Sequence, residues 1–257
     1  MAQLAQLVRS AYWYWRFPGE CYGCYRGIFE TFEQAMTVIP KNRKVGYDHS
    51  DLAKEYKTSL SKEVGSYDYP MLFWLKDLLK EACTIFDFGG NIGTHFYSYK
   101  RYLNYPQNLR WIVCDLPEII KAGEDVAKQE NSTDLSFTTS FEEADKIDIF
   151  MASGSLQYIE PVSISLSRLH DKPKHLLINR LPLCNGETFV TLQNGGLVFY
   201  PLYVYNRDEF VDSICKIGYE MVDSWKDRSE PCAVPFHPEF NSLTFNGLYF
   251  KLVEHES

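Results

Sequence analysis

Ile85-Phe86-Asp87-Phe88-Gly89-Gly90-Asn91-Ile92-Gly93 reads as a short buried strand, a tight glycine turn and the start of a helix at Thr94. Ile85, Phe86 and Phe88 suit a central strand. Gly89, Gly90 and Gly93 permit positive φ and let a ligand lie directly on the backbone. Asp87 stands at the strand's end, where open α/β sheets bind their ligands. Ordinary βα turns are also rich in glycine, so the motif alone leaves function open.

Working outward, the flanks settle the fold class. Asp68 and Pro70 open a helix whose apolar face is Met71, Leu72, Trp74, Leu75, Leu78 and Leu79. After the glycine turn a helix carries Phe96, Tyr97, Tyr99 and Tyr102. Leu109–Cys114 then makes a second strand that ends in Asp115, 22 residues after Gly93. An acid at that place in a βαβ unit accepts hydrogen bonds from both hydroxyls of a ribose, although Asp115 also suits the N-terminus of the helix opened by Pro117. Helix 117–130, strand 135–138, the polar Thr139-Ser140 with Phe141, strand 147–152, helix 161–169 and strand 174–180 follow. This alternation predicts a doubly wound, mostly parallel α/β sheet. Beyond it the pattern changes. Runs 187–193 and 197–205 around Asn194-Gly195-Gly196 signal a β-hairpin insertion, able to cover a pocket or form a homodimer edge. A capping box at Asn206-Arg207-Asp208-Glu209 opens helix 207–217, followed by strand 219–225 and a Pro-rich loop over 226–240. Leu243–Leu252 reads as a last strand or as a hairpin turning at Asn246-Gly247.

Residues 1–66 yield no globular core of their own and read as an aromatic-rich N-terminal helical extension, or lid, on a main domain of residues 67–257. Leu4, Leu7, Val8, Ala11, Tyr12 and Trp15 fall at helical spacing, which predicts an amphipathic helix packed on the domain. An aromatic lid over a cation and a membrane-surface helix are its other readings. Short helices are expected near 31–38 and 48–60. The net charge of −8 argues against a nucleic-acid partner. With no export signal and no run of 18 apolar residues, the expectation is a cytoplasmic protein without membrane insertion. Seven cysteines, mostly in apolar runs, are expected to be reduced and buried. Cys21-x-x-Cys24 lacks the second pair that a zinc site needs, so no metal is expected.

The glycine loop, the acid after the second strand and the closing β pair together resemble the class I methyltransferases, a Rossmann-like fold that binds S-adenosylmethionine (SAM). Asp87-Phe-Gly-Gly-Asn-Ile-Gly93 resembles that family's Asp-x-Gly-x-Gly-x-Gly, with Asn91 in place of the middle glycine. Cys114-Asp-Leu-Pro117 resembles the Asp-Leu-Pro of plant-type O-methyltransferases. The chain as a whole resembles a bacterial family of inferred SAM-dependent methyltransferases often found near surface-polysaccharide or natural-product genes. The matching runs are 86–93, 153–159, 175–182, 191–196 and 235–239. By position, the resemblance implies that Gly89, Gly90, Asn91 and Gly93 line the methionine and ribose of SAM. Asp87 would orient the loop or meet the SAM amino group, and Asp115 would hold the ribose. Leu116 would lie on adenine, Thr139, Ser140 and Phe141 at its edge, and Ser153, Gly154, Ser155, Gln157 and Tyr158 toward the sulfonium.

One departure from the plant-type enzymes concerns the chemistry. Their base is a histidine after the fourth strand, and alignment puts Gln157 there, which cannot accept a proton. Tyr158, His175 and His237 are the substitutes considered for it. Ser155, Gln157, Tyr158 and Tyr12 are the catalytic candidates; Trp13, Tyr22 and Tyr25 are further site aromatics. Three functions follow. The first is methyl transfer from SAM to a small acceptor, which needs positioning more than acid–base help. The second is cyclisation or lysis of SAM itself, giving azetidine-2-carboxylic acid and methylthioadenosine. The third is SAM binding without catalysis, against which the intact glycine loop argues.

Overall fold

The computed structural model describes residues 2–19, 21–58, 60, 63–237, 240 and 243–253. The N-terminal part runs α1 (Ala2–Arg16), β1 (Cys24–Phe29), α2 (Phe32–Met36), β2 (Lys44–Val45), α3 (Ser50–Thr58) and α4 (Tyr69–Leu78). The alternating part runs β3 (Thr84–Phe88), α5 (Thr94–Tyr99), β4 (Arg110–Cys114), α6 (Pro117–Glu130), β5 (Leu135–Thr138), β6 (Ile149–Ser153), α7 (Val162–Ser167) and β7 (His175–Cys184). The chain closes with β8 (Phe189–Asn194), β9 (Val198–Asn206), α8 (Arg207–Cys215), β10 (Tyr219–Cys232) and β11 (Leu243–Leu252).

The main sheet is ordered β5-β4-β3-β6-β7-β11-β10, parallel from β5 to β7, with β11 antiparallel to both β7 and β10. Alternation along β3 builds both faces. Ile85 joins Met71, Leu75, Phe96 and Trp111 under α4, α5 and α6, whereas Phe86 joins Phe150, Leu166 and Ile214 under α7 and α8. Full burial of each such side chain contributes roughly 1.5–3 kcal/mol. Asp87 takes the alternate position and so faces inward beneath α5, fully buried.

β7 outlasts the core sheet. Its last residues, Leu183 and Cys184, pair with Tyr205 and Asn206 of β9, and from there a smaller sheet β1-β8-β9-β2 grows. The expected hairpin forms its centre. Asn194 fixes the turn: its Oδ1 accepts from Gly196 N at 2.7 Å, and its Nδ2 donates to Phe17 O at 2.7 Å and Gly19 O at 2.9 Å. The described residues of 1–66 therefore carry two strands, β1 and β2, besides their helices, both paired with the hairpin.

Several sequence expectations change. Of the two readings of Leu243–Leu252 the single strand holds: β11 continues through Asn246-Gly247, with a register shift against β7 there, and the Trp225 indole lies over Gly247 and leaves no room for a side chain. β10 continues to Cys232 against β11, where a loop was expected from 226. The α1 stripe is not packed on the domain: Leu4, Leu7 and Val8 are exposed and Trp15 is 81% exposed. The helix is fastened near its end instead, by Phe17 against Phe199 and by Tyr14 against Phe236 and Arg26. Cys21 and Cys24 are disulfide-bonded rather than reduced, the turn at Gly23 bringing their Cα atoms to 5.6 Å. Cys215, expected buried, is exposed at the end of α8, and Cys83 is half-buried. Among the described residues no helix is long and apolar enough to cross a membrane.

Candidate active site

Parallel strands all point their carboxyl ends the same way, so the residues just after β3, β4, β5 and β6 converge on one edge of the sheet. A cleft of about 610 Å³ opens there. It is lined by Phe88 at the end of β3 with Gly89 and Asn91 after it, Asp115 and Leu116 after β4, Ser153 at the end of β6 with Gly154 and Ser155 after it, and Thr139 and Ile119. Asn91 adopts φ 58°, the left-handed conformation that asparagine tolerates better than most residues, which explains how it stands in for a glycine.

Asp115 is the electrostatic centre of this cleft. Oδ2 accepts from Asn91 N at 2.8 Å and Oδ1 from Leu116 N at 2.7 Å. Each carboxylate oxygen has capacity for another donor. Burial drives the Asp115 pKa up to about 6 against the lowering effect of those two N–H groups. A poorly solvated carboxylate with acceptor capacity to spare is suited to a ligand that donates hydrogen bonds from two adjacent groups. Glycine at 89 is required by close packing: a Cβ there would lie 2.3 Å from Ser155 Cβ, and Ser155 Oγ donates to Phe88 O at 2.7 Å.

A second cavity of about 460 Å³ adjoins the first. Ser153, Gly154, Tyr47, Tyr158 and Tyr200 line both. The three tyrosine rings form one cluster, with Tyr47 stacked on Tyr200 at 4.3 Å and Tyr158 edge-on to each at 5.1 and 5.0 Å. Burial raises all three phenol pKa values, so these groups stay protonated. Tyr22 and Tyr25, expected as site aromatics, line the smaller cavity, and Phe32, Met36, Tyr47 and Tyr56 line the larger cleft, so residues N-terminal to α4 contribute to both.

The smaller cavity also holds His95, Gln157 and Arg180. His95 Nδ1 lies 3.1 and 3.2 Å from the two oxygens of Asp87, which also accepts from Trp111 Nε1 at 3.1 Å. Burial disfavours the imidazolium, but the Asp87 carboxylate outweighs burial and the opposing Arg180, and the His95 pKa is raised. Gln157 is 3% exposed; its Nε2 donates to Gly154 O at 3.0 Å, while Oε1 has no hydrogen-bond partner. Arg180 sits at φ 53° in β7, its guanidinium 4.2 Å from the Tyr67 ring centre and its Nε 3.8 Å from Asp227.

No family model and no curated protein sequence matches the chain. Solved structures do. The 1,6-didemethyltoxoflavin-N1-methyltransferase of Burkholderia thailandensis superposes with TM-score 0.51 at 14% identity, over 84% of this chain and 95% of that one. Magnesium protoporphyrin IX methyltransferase from Synechocystis gives 0.54 at 11% identity, over 80% and 96%. The [4+2]-cyclase SpnF gives 0.54 at 10% identity, over 83% and 99%. The fold is that of the class I methyltransferases. At such identities the likeness carries the architecture and leaves the chemistry to the residues.

In this class I methyltransferase fold the sequence-derived site residues divide. Gly89, Asn91, Asp115, Leu116, Thr139, Ser153, Gly154, Ser155 and Tyr158 all line the larger cleft. Asp87, Gly90, Gly93, Ser140 and Phe141 do not. Asp87 is buried on His95 and Trp111, and Gly90 lies so close to its carboxyl that a Cβ would come within 2.6 Å. Gly93 starts α5 at φ 90°. Phe141 packs on Phe86, Phe88 and Phe150, and Ser140 Oγ donates to Glu142. Tyr12 lies on α1 with Arg16, outside both cavities. His175 is bonded to Tyr249 at 2.9 Å on the β7–β11 ladder, and neither it nor His237 lines either cavity. Sequence reasoning passed over His95, Arg180, Tyr47 and Tyr200. A titratable residue in the first turn after a glycine loop was the available signal for His95.

Proposed function

We propose that the chain is a SAM-dependent enzyme of small-molecule metabolism that transfers the SAM methyl group to a small acceptor. Asp115 would hold the ribose, Leu116 would lie against adenine and Thr139 at its edge, and the loop Gly89–Asn91 would carry the amino-acid part, bringing the sulfonium toward Ser153-Gly154. SAM supplies an electrophilic methyl group, and the three neutral tyrosines at the shared wall offer π-faces to its positive charge. The observation that carries the reading is that two cavities meet at that wall, one bearing the carboxylate and glycine loop, the other bearing polar groups. A second, acceptor-sized cavity favours transfer over cyclisation of SAM, which needs no acceptor. Residues 1–66 act in this reading as a cover. In this reading the acceptor belongs to natural-product or surface-polysaccharide chemistry, which the sequence resemblance to the bacterial family supports.

The test is mass spectrometry of the purified protein incubated with SAM alone. The expected result is SAM that is retained and intact. Rapid release of methylthioadenosine would replace transfer with chemistry on SAM itself, and failure to retain SAM would remove the reading altogether.

A further inference from the structure

We propose that His95 is the general base for an acceptor seated in the smaller cavity, and that this acceptor is a planar aromatic molecule with an ionisable ring O–H or N–H. The inference rests on the reading of the larger cleft as the SAM site.

Four observations support it. First, Asp87 occupies His95 Nδ1, which leaves Nε2 as the ring's free acceptor when the imidazole is neutral; no described residue hydrogen-bonds to Nε2, and the ring lines the cavity. Second, Gln157 lines the cavity with its amide held by its bond to Gly154 O, and its carbonyl oxygen is buried without a hydrogen-bond partner, an unmet demand that a small turn of the side chain toward a ligand's donor would satisfy. Third, the walls are flat rings, Tyr25, Tyr47, Tyr67, Tyr158 and Phe245, which suit a planar guest; 460 Å³ is at the small end of ligand pockets, about 300–1,000 Å³. Fourth, burial keeps the Tyr47, Tyr158 and Tyr200 phenols protonated, and an arginine does not titrate, so His95 is the described lining side chain able to take a proton near neutrality. An imidazole is a poor match for an aliphatic alcohol and a good one for a phenol or acidic ring N–H. Arg180 beside the cavity favours the anion formed.

The step balances. The acceptor's proton passes to His95 Nε2 as its oxygen or nitrogen bonds to the methyl carbon. The carbon–sulfur bond breaks and its electron pair stays on sulfur, giving neutral S-adenosylhomocysteine. The sulfonium's positive charge ends on the imidazolium, which loses the proton to solvent on product release.

The charged groups facing His95 are Asp87 of β3, Asp68 at the start of α4 and Arg180 of β7, with the Tyr99 ring against it. Removing the Asp87 charge takes away the larger of the two carboxylate contributions and leaves Asp68 alone against burial and Arg180, which both lower the His95 pKa. In Asp87→Asn the acid limb of kcat/KM therefore moves to lower pH, a shift that a purely structural aspartate would not cause.

The experiment supplies SAM with three probes, 4-nitrophenol, catechol and xanthine, and follows methylated product by mass spectrometry. Wild-type protein is expected to methylate at least one. His95→Gln is expected to lower that rate about 10²–10⁴-fold, the usual contribution of a general base, with S-adenosylhomocysteine binding by calorimetry unchanged. Should His95→Gln fail to fold, the Asp87→Asn pH profile carries the test. Tight cofactor binding without transfer to any probe overturns the acceptor class. Equal rates in His95→Gln, or an unmoved acid limb in Asp87→Asn, overturn the base. Failure of the wild type to bind S-adenosylhomocysteine overturns the cofactor reading instead.

Discussion

Asp115→Ala separates function from stability in one side chain. The carboxylate already accepts two backbone N–H groups and would accept two ribose hydroxyls. Hydrogen bonds to a charged group contribute about 1.5–3 kcal/mol each, so losing two weakens cofactor binding by roughly 3–6 kcal/mol. At about 1.4 kcal/mol per factor of ten, that is a loss of roughly 10²–10⁴ in affinity. Stability responds differently. The Asp115 pKa is raised from 3.8 to about 6 by burial. Two units at about 1.4 kcal/mol each mean that ionising this group costs the folded protein about 3 kcal/mol. The cost is fully present above pH 6, relieved as pH falls through 6, and gone below the unfolded value near 4. Alanine removes that cost while stranding the N–H groups of Asn91 and Leu116, at about 1–3 kcal/mol each, so the two effects nearly offset. Calorimetric titration with S-adenosylhomocysteine at neutral pH should therefore show a large loss of affinity, and melting without ligand should show little change. Affinity retained in the variant would refute Asp115 as the ribose acceptor. A collapse of melting temperature would show that its work is structural. In the wild type, affinity should fall as pH drops through 6, because the protonated carboxyl loses acceptor capacity.

Two further predictions concern the frame of the site. Gly247→Ala puts a Cβ within 1.9 Å of the Trp225 indole and threatens the Trp225 Nε1 bond to Asn179 Oδ1, so chemical denaturation should show a loss of about 1–3 kcal/mol, the usual range for overpacking. Burial lowers the His175 pKa, so the unfolded chain binds a proton there before the folded one does; stability should drop as pH falls below about 6.5, and His175→Gln should flatten that drop in a series of melts.

Much of the architecture was legible because it is encoded locally. The apolar run of β3 ending in glycines, the period of α4 and α6, and the alternation from Ile85 to His175 each specify an element without reference to distant residues. Asp115 was legible because a βαβ unit fixes where its second strand ends. Strands β1 and β2 were not, because their hydrogen-bonding partners lie in β8 and β9, more than 150 residues downstream. The Asn246-Gly247 dipeptide left strand and hairpin open for a related reason: its local preference is for a turn, while the pairing that makes it a strand runs to β7 and β10.

The sequence by itself determined a doubly wound sheet with a glycine loop and an acid at its carboxyl edge, since strand and helix periodicity and turn chemistry act over a few residues. Only the tertiary structure decided what stands around that edge. Asp87, taken from sequence as a residue at the edge of the site, turns inward because its place in the strand's alternation puts it under α5, and there it orients His95 toward a second cavity. That cavity is closed by side chains from β1, β6, β7, β8 and β11, among them Tyr25, Arg180 and Gln193. Long-range strand pairing brings these residues together, and no local pattern in the chain records it.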